Sequence, residues 1–178
     1  MVLDFAKGHG WRLTGAPRDG LRPLLAKQVR SGNFSAMHYS DVPGFVADLR
    51  SKQSSIGRLA LLFTILTAAR SGEVRSARWS HIDFEAKTWT RPAALMKSRE
   101  PHVVTLSEAA IAVLREVEKA RTDEDDPLLF PGSRGGQLSD MTLLKIVKSE
   151  AGPFTVHGFR SAFRTWAAEQ MPTVPEAV

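Results

Sequence analysis

The sequence contains no cysteine, which excludes disulfide bonds, thiolate zinc sites and cysteine nucleophiles. It also lacks any apolar run near the roughly 20 residues that a bilayer-spanning helix needs, so no membrane partner is expected. Its five histidines form no pair at the i, i+4 spacing of helical metal ligands, and we therefore expect no metal site. The N-terminus has no signal-peptide pattern, and we expect a cytoplasmic protein.

Tyrosine is almost absent, since Tyr39 is the only one in 178 residues. Positive charge is abundant: 24 lysines and arginines outnumber 19 acidic residues, for a net charge of +5. This excess favours an anionic partner such as nucleic acid. The acidic run at residues 123–126 is expected to be a solvated loop, because a hard-cation site needs converging oxygen ligands rather than adjacent ones.

Apolar periodicity and capping residues predict a chain that is mainly helical with two strands. Helices are predicted over residues 2–8, 41–50, 55–69, 71–77, 107–121, 139–150 and 155–170. The predicted N-terminal caps are Ser40, Ser71, Ser107, Ser139 and Thr155. Strands are predicted over residues 87–91 and 102–106, with Lys97 in the segment between them. Residues 11–40 are predicted to be a basic linker, either laid against DNA phosphates or solvated and disordered.

The last predicted helix has two distinct faces. At about 100° per residue, an apolar arc is formed by Val156, Phe159, Ala162, Phe163 and Trp166. His157, Arg160 and Arg164 lie on a different arc. We expect the first face to be buried and the second to look outward or into a cleft.

Arg70, Lys97, His157 and Arg160 are the residue types that phosphodiester chemistry requires. An arginine fork bonds two phosphate oxygens at once, whereas lysine and histidine can move protons. Each residue also has a structural alternative: Arg70 could simply pair with Glu73, His157 could be a packing residue, and Lys97 an ordinary hairpin lysine. The order of the set along the chain favours the functional interpretation.

Four segments carry a family resemblance. They are TAARSGEVRSARWSHID around Arg70, MKSREPHVVTLS around Lys97, LLFPGSRGG, and TVHGFRSAFRTWAAE around Arg160. In this order they resemble the motifs of the tyrosine recombinases, in particular the satellite-phage type of integrase. The resemblance runs from about Tyr39 to Val178. It implies a mainly α fold with a small antiparallel β-sheet, in which residues 39–178 form the catalytic domain and residues 1–38 the end of a core-binding domain with its basic linker.

The resemblance also implies roles. Arg70 and Arg160 would hold the scissile phosphate, and Glu73 would orient Arg70. His157 would hydrogen-bond the phosphate and help manage the nucleophile's proton, while Lys97 would protonate the leaving 5′-oxygen. The activity implied is site-specific DNA recombination through a 3′-phosphotyrosyl link, without metal or other cofactor. The implied partners are double-stranded DNA and other integrase subunits, and the implied location is the bacterial nucleoid.

The nucleophile is where the sequence departs from the family pattern. Tyr39 precedes every motif, so it does not match the family's tyrosine, and the chain ends soon after Arg160. We therefore expect a catalytic domain that lacks its C-terminal helices and its nucleophile, and that is inactive alone. Two alternatives are a non-catalytic DNA-binding protein, such as a decayed integrase, and a metal-free phosphodiesterase using His157 and Lys97 as acid and base.

Overall fold

The computed structural model describes residues 2–16, 35–95, 100–121 and 127–171. The chain divides into two compact units, Met1–Asn33 and Phe34–Val178. In the first unit, helix α1 spans Val2–Gly8, as predicted, and Gly10 follows it with a left-handed φ of 71°. Most of the predicted basic linker lies outside the described residues, and so does the acidic run at residues 123–126.

The second unit is mainly helical with one small antiparallel sheet, which confirms the predicted fold class. Its helices are α2 (Val42–Ser51), α3 (Ile56–Thr67), α4 (Ser71–Arg75), α5 (Glu108–Lys119), α6 (Asp140–Glu150) and α7 (Val156–Gln170). Short 3-10 helices span Trp79–His81 and Ala93–Leu95. The strands are β1 (Ile82–Asp83), β2 (Thr88–Arg91) and β3 (His102–Thr105).

Helix α3 forms the centre of the second unit because its side chains are apolar on almost every face. It packs against α5, α6, α4, α7 and α2. The ring of Phe63 is fully buried, 5.2 Å from the ring of Trp89 and 5.6 Å from that of Phe130, so that helix, sheet and loop share one core. Among the described residues, no helix has both the length and the apolar character that a membrane span requires.

Three of the predicted helix caps are confirmed. The hydroxyl of Ser107 accepts a hydrogen bond from the backbone N–H of Ala110, that of Ser139 from Met141, and that of Thr155 from Gly158. Each bond satisfies a backbone donor that the first turn leaves without a partner, so these starts follow from local sequence.

Two predicted caps are wrong. Asp41 occupies the N-cap of α2, and Ser40 instead hydrogen-bonds the Asp41 carboxylate and His38. Arg70 occupies the N-cap of α4, and Ser71 is the first helical residue. The Glu73 carboxylate accepts the backbone N–H of Arg70, so this helix start needs no hydroxyl cap. The same short helix ends at Arg75 rather than at Ala77.

The sheet has the order β1-β2-β3, and all its pairings are antiparallel. The two predicted strands are confirmed within a residue at their ends, whereas β1 was not predicted because its two residues are too short to show alternation. On β2, Trp89 and Arg91 are buried and Thr90 between them is exposed. Arg91 therefore occupies an inward position of the strand, opposite His102 on β3.

Helix α7 is buried along a narrower face than its sequence predicts. Gly158, Phe159 and Ala162 are buried, but Phe163 and Trp166 are 49% and 38% exposed. The first turn packs closely on the chain around Ser35, since a Cβ on Gly158 would lie only 2.5 Å from the carbonyl oxygen of Ser35. Packing among the described residues thus covers the first half of the predicted apolar arc and leaves Phe163 and Trp166 exposed.

Candidate active site

A cleft of about 760 Å³ opens in the second unit beside the first turns of α4 and α7. Arg70, Glu73 and His157 line it together, although His157 is more than 80 positions from the other two along the chain. Arg160 lies one turn after His157 on α7, beside the cleft. Lys97, the remaining predicted site residue, lies outside the described residues.

Arg70 is positioned by the junction between α3 and α4. Helix α3 ends at Thr67, its C-cap Ala68 has a left-handed φ of 48°, and Arg70 lies in extended conformation as the N-cap of α4. Its backbone N–H and its Nη1 donate to the two oxygens of Glu73, at 2.9 and 2.8 Å. The Arg70 side chain is 60% exposed and that of Glu73 only 13%, so a largely buried carboxylate holds an exposed guanidinium.

Arg160 is fixed by the same junction from the opposite helix. Its Nη1 donates to the carbonyl oxygen of Ala68 at 2.7 Å, and this bond ties α7 to the end of α3. This bond uses one of the five N–H groups of the planar guanidinium, and among the described residues the other four have no hydrogen-bond acceptor, so they can serve a ligand. The left-handed residue Ala68 therefore helps to position both predicted arginines. It turns the backbone between α3 and Arg70, and its carbonyl oxygen binds Arg160.

Arg91 joins this group, and the sequence analysis did not single it out. It lines the cleft, and its Nη1 donates to the same Glu73 oxygen that accepts the Arg70 N–H. The sequence does contain a signal for Arg91. Side chains alternate along a strand, and Arg91 lies two residues after the core residue Trp89, which places it on the same inward face of β2. A charged residue at an inward strand position is rarely buried without a partner, and here the partner is Glu73.

The Glu73 carboxylate is held ionised by this arrangement. Burial raises its pKa, but the backbone and side-chain hydrogen bonds from Arg70, together with the charges of Arg91 and Arg70, outweigh burial and bring the pKa below its ordinary value. Burial also lowers the pKa of Arg91, with the charge of Glu73 opposing this and that of Arg160 adding to it. Among the described residues of this group, the guanidinium groups of Arg70 and Arg91 bond one carboxylate, and the charge of Arg160 acts on Arg91, so positive charge exceeds negative charge at the cleft.

Two histidines near the arginines have lowered pKa values, which favours their neutral form. Burial, and then the charges of Arg91 and Arg160, lower the pKa of His102, while Glu73 acts in the opposite direction. Burial and the charge of Arg78 lower the pKa of His81, which also lines the cleft. The positive charge of the site thus resides in its arginines rather than in these imidazoles.

Tyr39 is engaged elsewhere. Its hydroxyl donates to Glu169 Oε2 at 2.7 Å, near the end of α7. This hydrogen bond, with burial and the charge of Glu169, raises the pKa of the phenol, although Gln170 has a small opposing effect. A raised pKa makes the phenolate harder to form, and therefore makes Tyr39 a poorer nucleophile. Within the part of the chain that the structure describes, no three histidine, aspartate or glutamate residues converge as metal ligands.

The cleft combines paired arginines with a buried carboxylate on a mainly α scaffold, and its fold is shared with solved recombinases. The Tn1549 transposon integrase, solved in complex with circular intermediate DNA, superposes with a TM-score of 0.65 at 15% identity, covering 97% of this chain and 64% of that one. At this identity the likeness establishes the fold alone.

The family follows from sequence comparison. Residues 36–174 match the model of the phage integrase family, and the chain belongs to that family. Prophage integrase IntZ of Escherichia coli is 32% identical over 169 residues, which cover 85% of this chain and 41% of IntZ. The integrase of Enterobacteria phage P4 is 29% identical over 155 residues, covering 76% of this chain and 35% of that protein. The chain thus spans less than half the length of these relatives.

Proposed function

We propose that this chain binds double-stranded DNA and holds one backbone phosphate in the cleft between α4 and α7, as part of a site-specific DNA integrase. The observation that carries the proposal is that Arg70 and His157 line one cleft in a member of the phage integrase family, with Arg160 bonded to Ala68 at the junction that leads to Arg70. Arginine forks suit a phosphate because they bond two of its oxygens and stay charged at any physiological pH.

The roles proposed for the residues follow the chemistry of phosphoryl transfer. Arg70 and Arg160 neutralise the non-bridging oxygens, and Glu73 keeps Arg70 in place. His157 hydrogen-bonds the phosphate and handles the proton of the attacking hydroxyl, and Lys97 protonates the leaving 5′-oxygen. The attacking group is a tyrosine that joins the DNA as a 3′-phosphotyrosyl ester, and Tyr39, the one tyrosine in these 178 residues, is not given this role because it precedes every motif.

The wider setting is also part of the proposal. Residues 39–178 would form the catalytic domain, and residues 1–38 the end of a core-binding domain with its basic linker. Other integrase subunits would occupy the same DNA, and the protein would work at the bacterial nucleoid. A DNA-binding protein without catalysis is the alternative.

Duplex binding is tested first, by fluorescence anisotropy with a labelled duplex over a salt series. Each phosphate contact releases counterions, and a lost contact reduces the magnitude of the negative slope of log K against log salt by about 0.9. The double variant Arg70→Met, Arg160→Met removes both arginines from the one proposed phosphate, and is therefore expected to reduce the magnitude of the slope by about 0.9. Arg115→Met is the matched control, since Arg115 is exposed and pairs with Glu118 on α5. Absence of binding at low salt, or an equal slope in the double variant, would overturn the proposal.

Covalent chemistry is tested by incubating the chain with nicked duplexes and separating the products on a denaturing gel. We expect no protein–DNA adduct from the 178-residue chain, because its single tyrosine is bonded to Glu169. An adduct that disappears in Tyr39→Phe would contradict this expectation and assign the nucleophile to Tyr39.

A further inference from the structure

Arg91 is a buried charge held in place by the core. Its side chain is only 9% exposed, and its guanidinium carbon lies 5.3 Å from the centre of the Trp89 ring. Trp89 is itself fully buried and packs on Phe63 of α3. A cation over an indole face is attracted to it, and the strand fixes the backbone, so Arg91 has one well-defined position.

Glu73 transmits that position to Arg70. One Glu73 oxygen accepts the Nη1 of Arg91 and the backbone N–H of Arg70, and the other accepts the Nη1 of Arg70. The Arg70 side chain is 60% exposed, and within the described part of the chain its guanidinium hydrogen-bonds Glu73 alone. The orientation of Arg70 therefore depends on a carboxylate whose own orientation depends on Arg91.

Neither direct DNA contact nor fold stability accounts for Arg91. A side chain that is nine-tenths buried presents little surface to a DNA backbone. Its Nε is buried and has no hydrogen-bond partner among the described residues, which is an energetic cost. A buried ion pair is in general no more stabilising than well-packed apolar residues of similar size. An imperfectly satisfied buried arginine is better explained by what it holds.

We propose that Arg91 is a positioning residue of the phosphate site: it locks the Glu73 carboxylate from the side of the sheet, so that Glu73 holds Arg70 in the orientation that binds the phosphate. The phosphate ligand in this inference rests on the proposed function, whereas the contacts among Arg91, Glu73 and Arg70 do not depend on it. The chain of contacts runs from the core through Trp89, Arg91 and Glu73 to Arg70, and it preorganises a side chain that is otherwise exposed.

A double-mutant cycle between Arg91 and Arg70 tests the proposal. Arg91→Met keeps the length and apolar stem of the side chain and removes its charge. We expect it to weaken duplex binding roughly tenfold, on the scale of one charge-assisted hydrogen bond. In an Arg70→Met background the same change should alter affinity by less than about twofold, because the side chain being positioned is gone. Arg115→Met serves again as the control and should leave affinity unchanged in both backgrounds.

An equal loss in both backgrounds would overturn the proposal, because it would mean that Arg91 acts on DNA directly or through its charge alone. No loss in either background would overturn it too. If Arg91→Met does not fold, as judged by circular dichroism, Arg91→Lys replaces it. Its ammonium still pairs with Glu73 but lacks the fork, so a smaller loss is expected, again confined to the background with Arg70 intact.

A second measurement separates this inference from the proposed function. The ¹⁵N relaxation of the Arg70 Nε–H group reports side-chain order in the free protein, without DNA. We expect Arg70 to be ordered in the wild type and mobile in Arg91→Met, with Arg115→Met as the control. If that change occurs but the wild type binds no DNA, the positioning role stands and the proposed function fails. If Arg70 is equally ordered in both proteins, the positioning role fails whatever the DNA result.

Discussion

Replacing Glu73 by glutamine should weaken the fold much more than replacing any exposed acid. Glu73 accepts three hydrogen bonds: two from Arg70 and one from Arg91. Glutamine has the same shape, but it offers one oxygen instead of two and turns an N–H₂ group toward a donor. The variant therefore leaves the buried guanidinium of Arg91 without its counter-charge.

The magnitude follows from the burial of the three side chains. Removing one member of a buried pair costs about 3–5 kcal/mol. The lower end applies here, because Arg70 is 60% exposed and glutamine keeps one acceptor, so we expect about 3 kcal/mol. For a domain of this size, about 2–4 °C per kcal/mol corresponds to a fall in Tm of about 6–12 °C.

Urea unfolding followed by circular dichroism at pH 7 measures the change, with Glu118→Gln as the matched control. Glu118 is exposed and pairs with Arg115 on the surface of α5, so its replacement should cost less than about 1 kcal/mol. The reasoning is refuted if Glu73→Gln costs no more than Glu118→Gln, because Glu73 would then hold nothing that the fold depends on.

The pH dependence gives an independent check. The folded-state pKa of Glu73 is lowered from 4.5, so its ionised form contributes stability that is fully present above pH 4.5. That contribution is lost as the pH falls through the folded-state pKa, because the carboxylate must then take up a proton. The difference between wild type and Glu73→Gln should stay constant from pH 7 to about 4.5 and shrink below it. An equal difference at all pH values would contradict the pairing.

Two further predictions concern helix ends. Ala68→Gly should stabilise the protein by about 0.5–1 kcal/mol, because Ala68 has a φ of 48° that glycine adopts without strain. The control Ala120→Gly, at an ordinary φ of −84°, should destabilise the protein by a similar amount. Thermal unfolding compares them, and equal signs would contradict the strain argument. Ser107→Ala should cost about 1 kcal/mol as a lost cap, and Ser40→Ala less than about 0.5 kcal/mol. If the two substitutions cost the same free energy of unfolding in chemical denaturation, Ser40 would act as a helix cap after all.

Features set by neighbouring residues were predictable from the sequence. Helix α3 follows from an apolar run that must be buried on most faces, and the starts of α5, α6 and α7 follow from a hydroxyl placed before a periodic segment. The strands β2 and β3 follow from short runs between turn residues. These interactions act within one or two turns of the chain, and for that reason local pattern is sufficient to find them.

Features set by distant residues were not predictable in the same way. Strand β1 exists only because β2 lies beside it. The Glu73 carboxylate that bonds the N-cap of α4 is itself held by Arg91, 18 positions further on, and the start of α7 is in close contact with the backbone of Ser35, more than 100 positions away. Phe163 and Trp166 share an arc with Phe159 in the sequence, but packing reaches only the first turns of that arc.

The sequence by itself determined the family, the fold class and the residue types of a phosphate site, since ordered motifs and periodic apolar positions are written in the chain. Only the tertiary structure decided how those residues act together. It brought Arg70 and His157 to one cleft, tied Arg160 to the left-handed turn at Ala68, and set Arg91 against Glu73. The physical reason is that each of these contacts joins separate elements of the fold. The energy of each charge–charge interaction also depends on how deeply the two groups are buried.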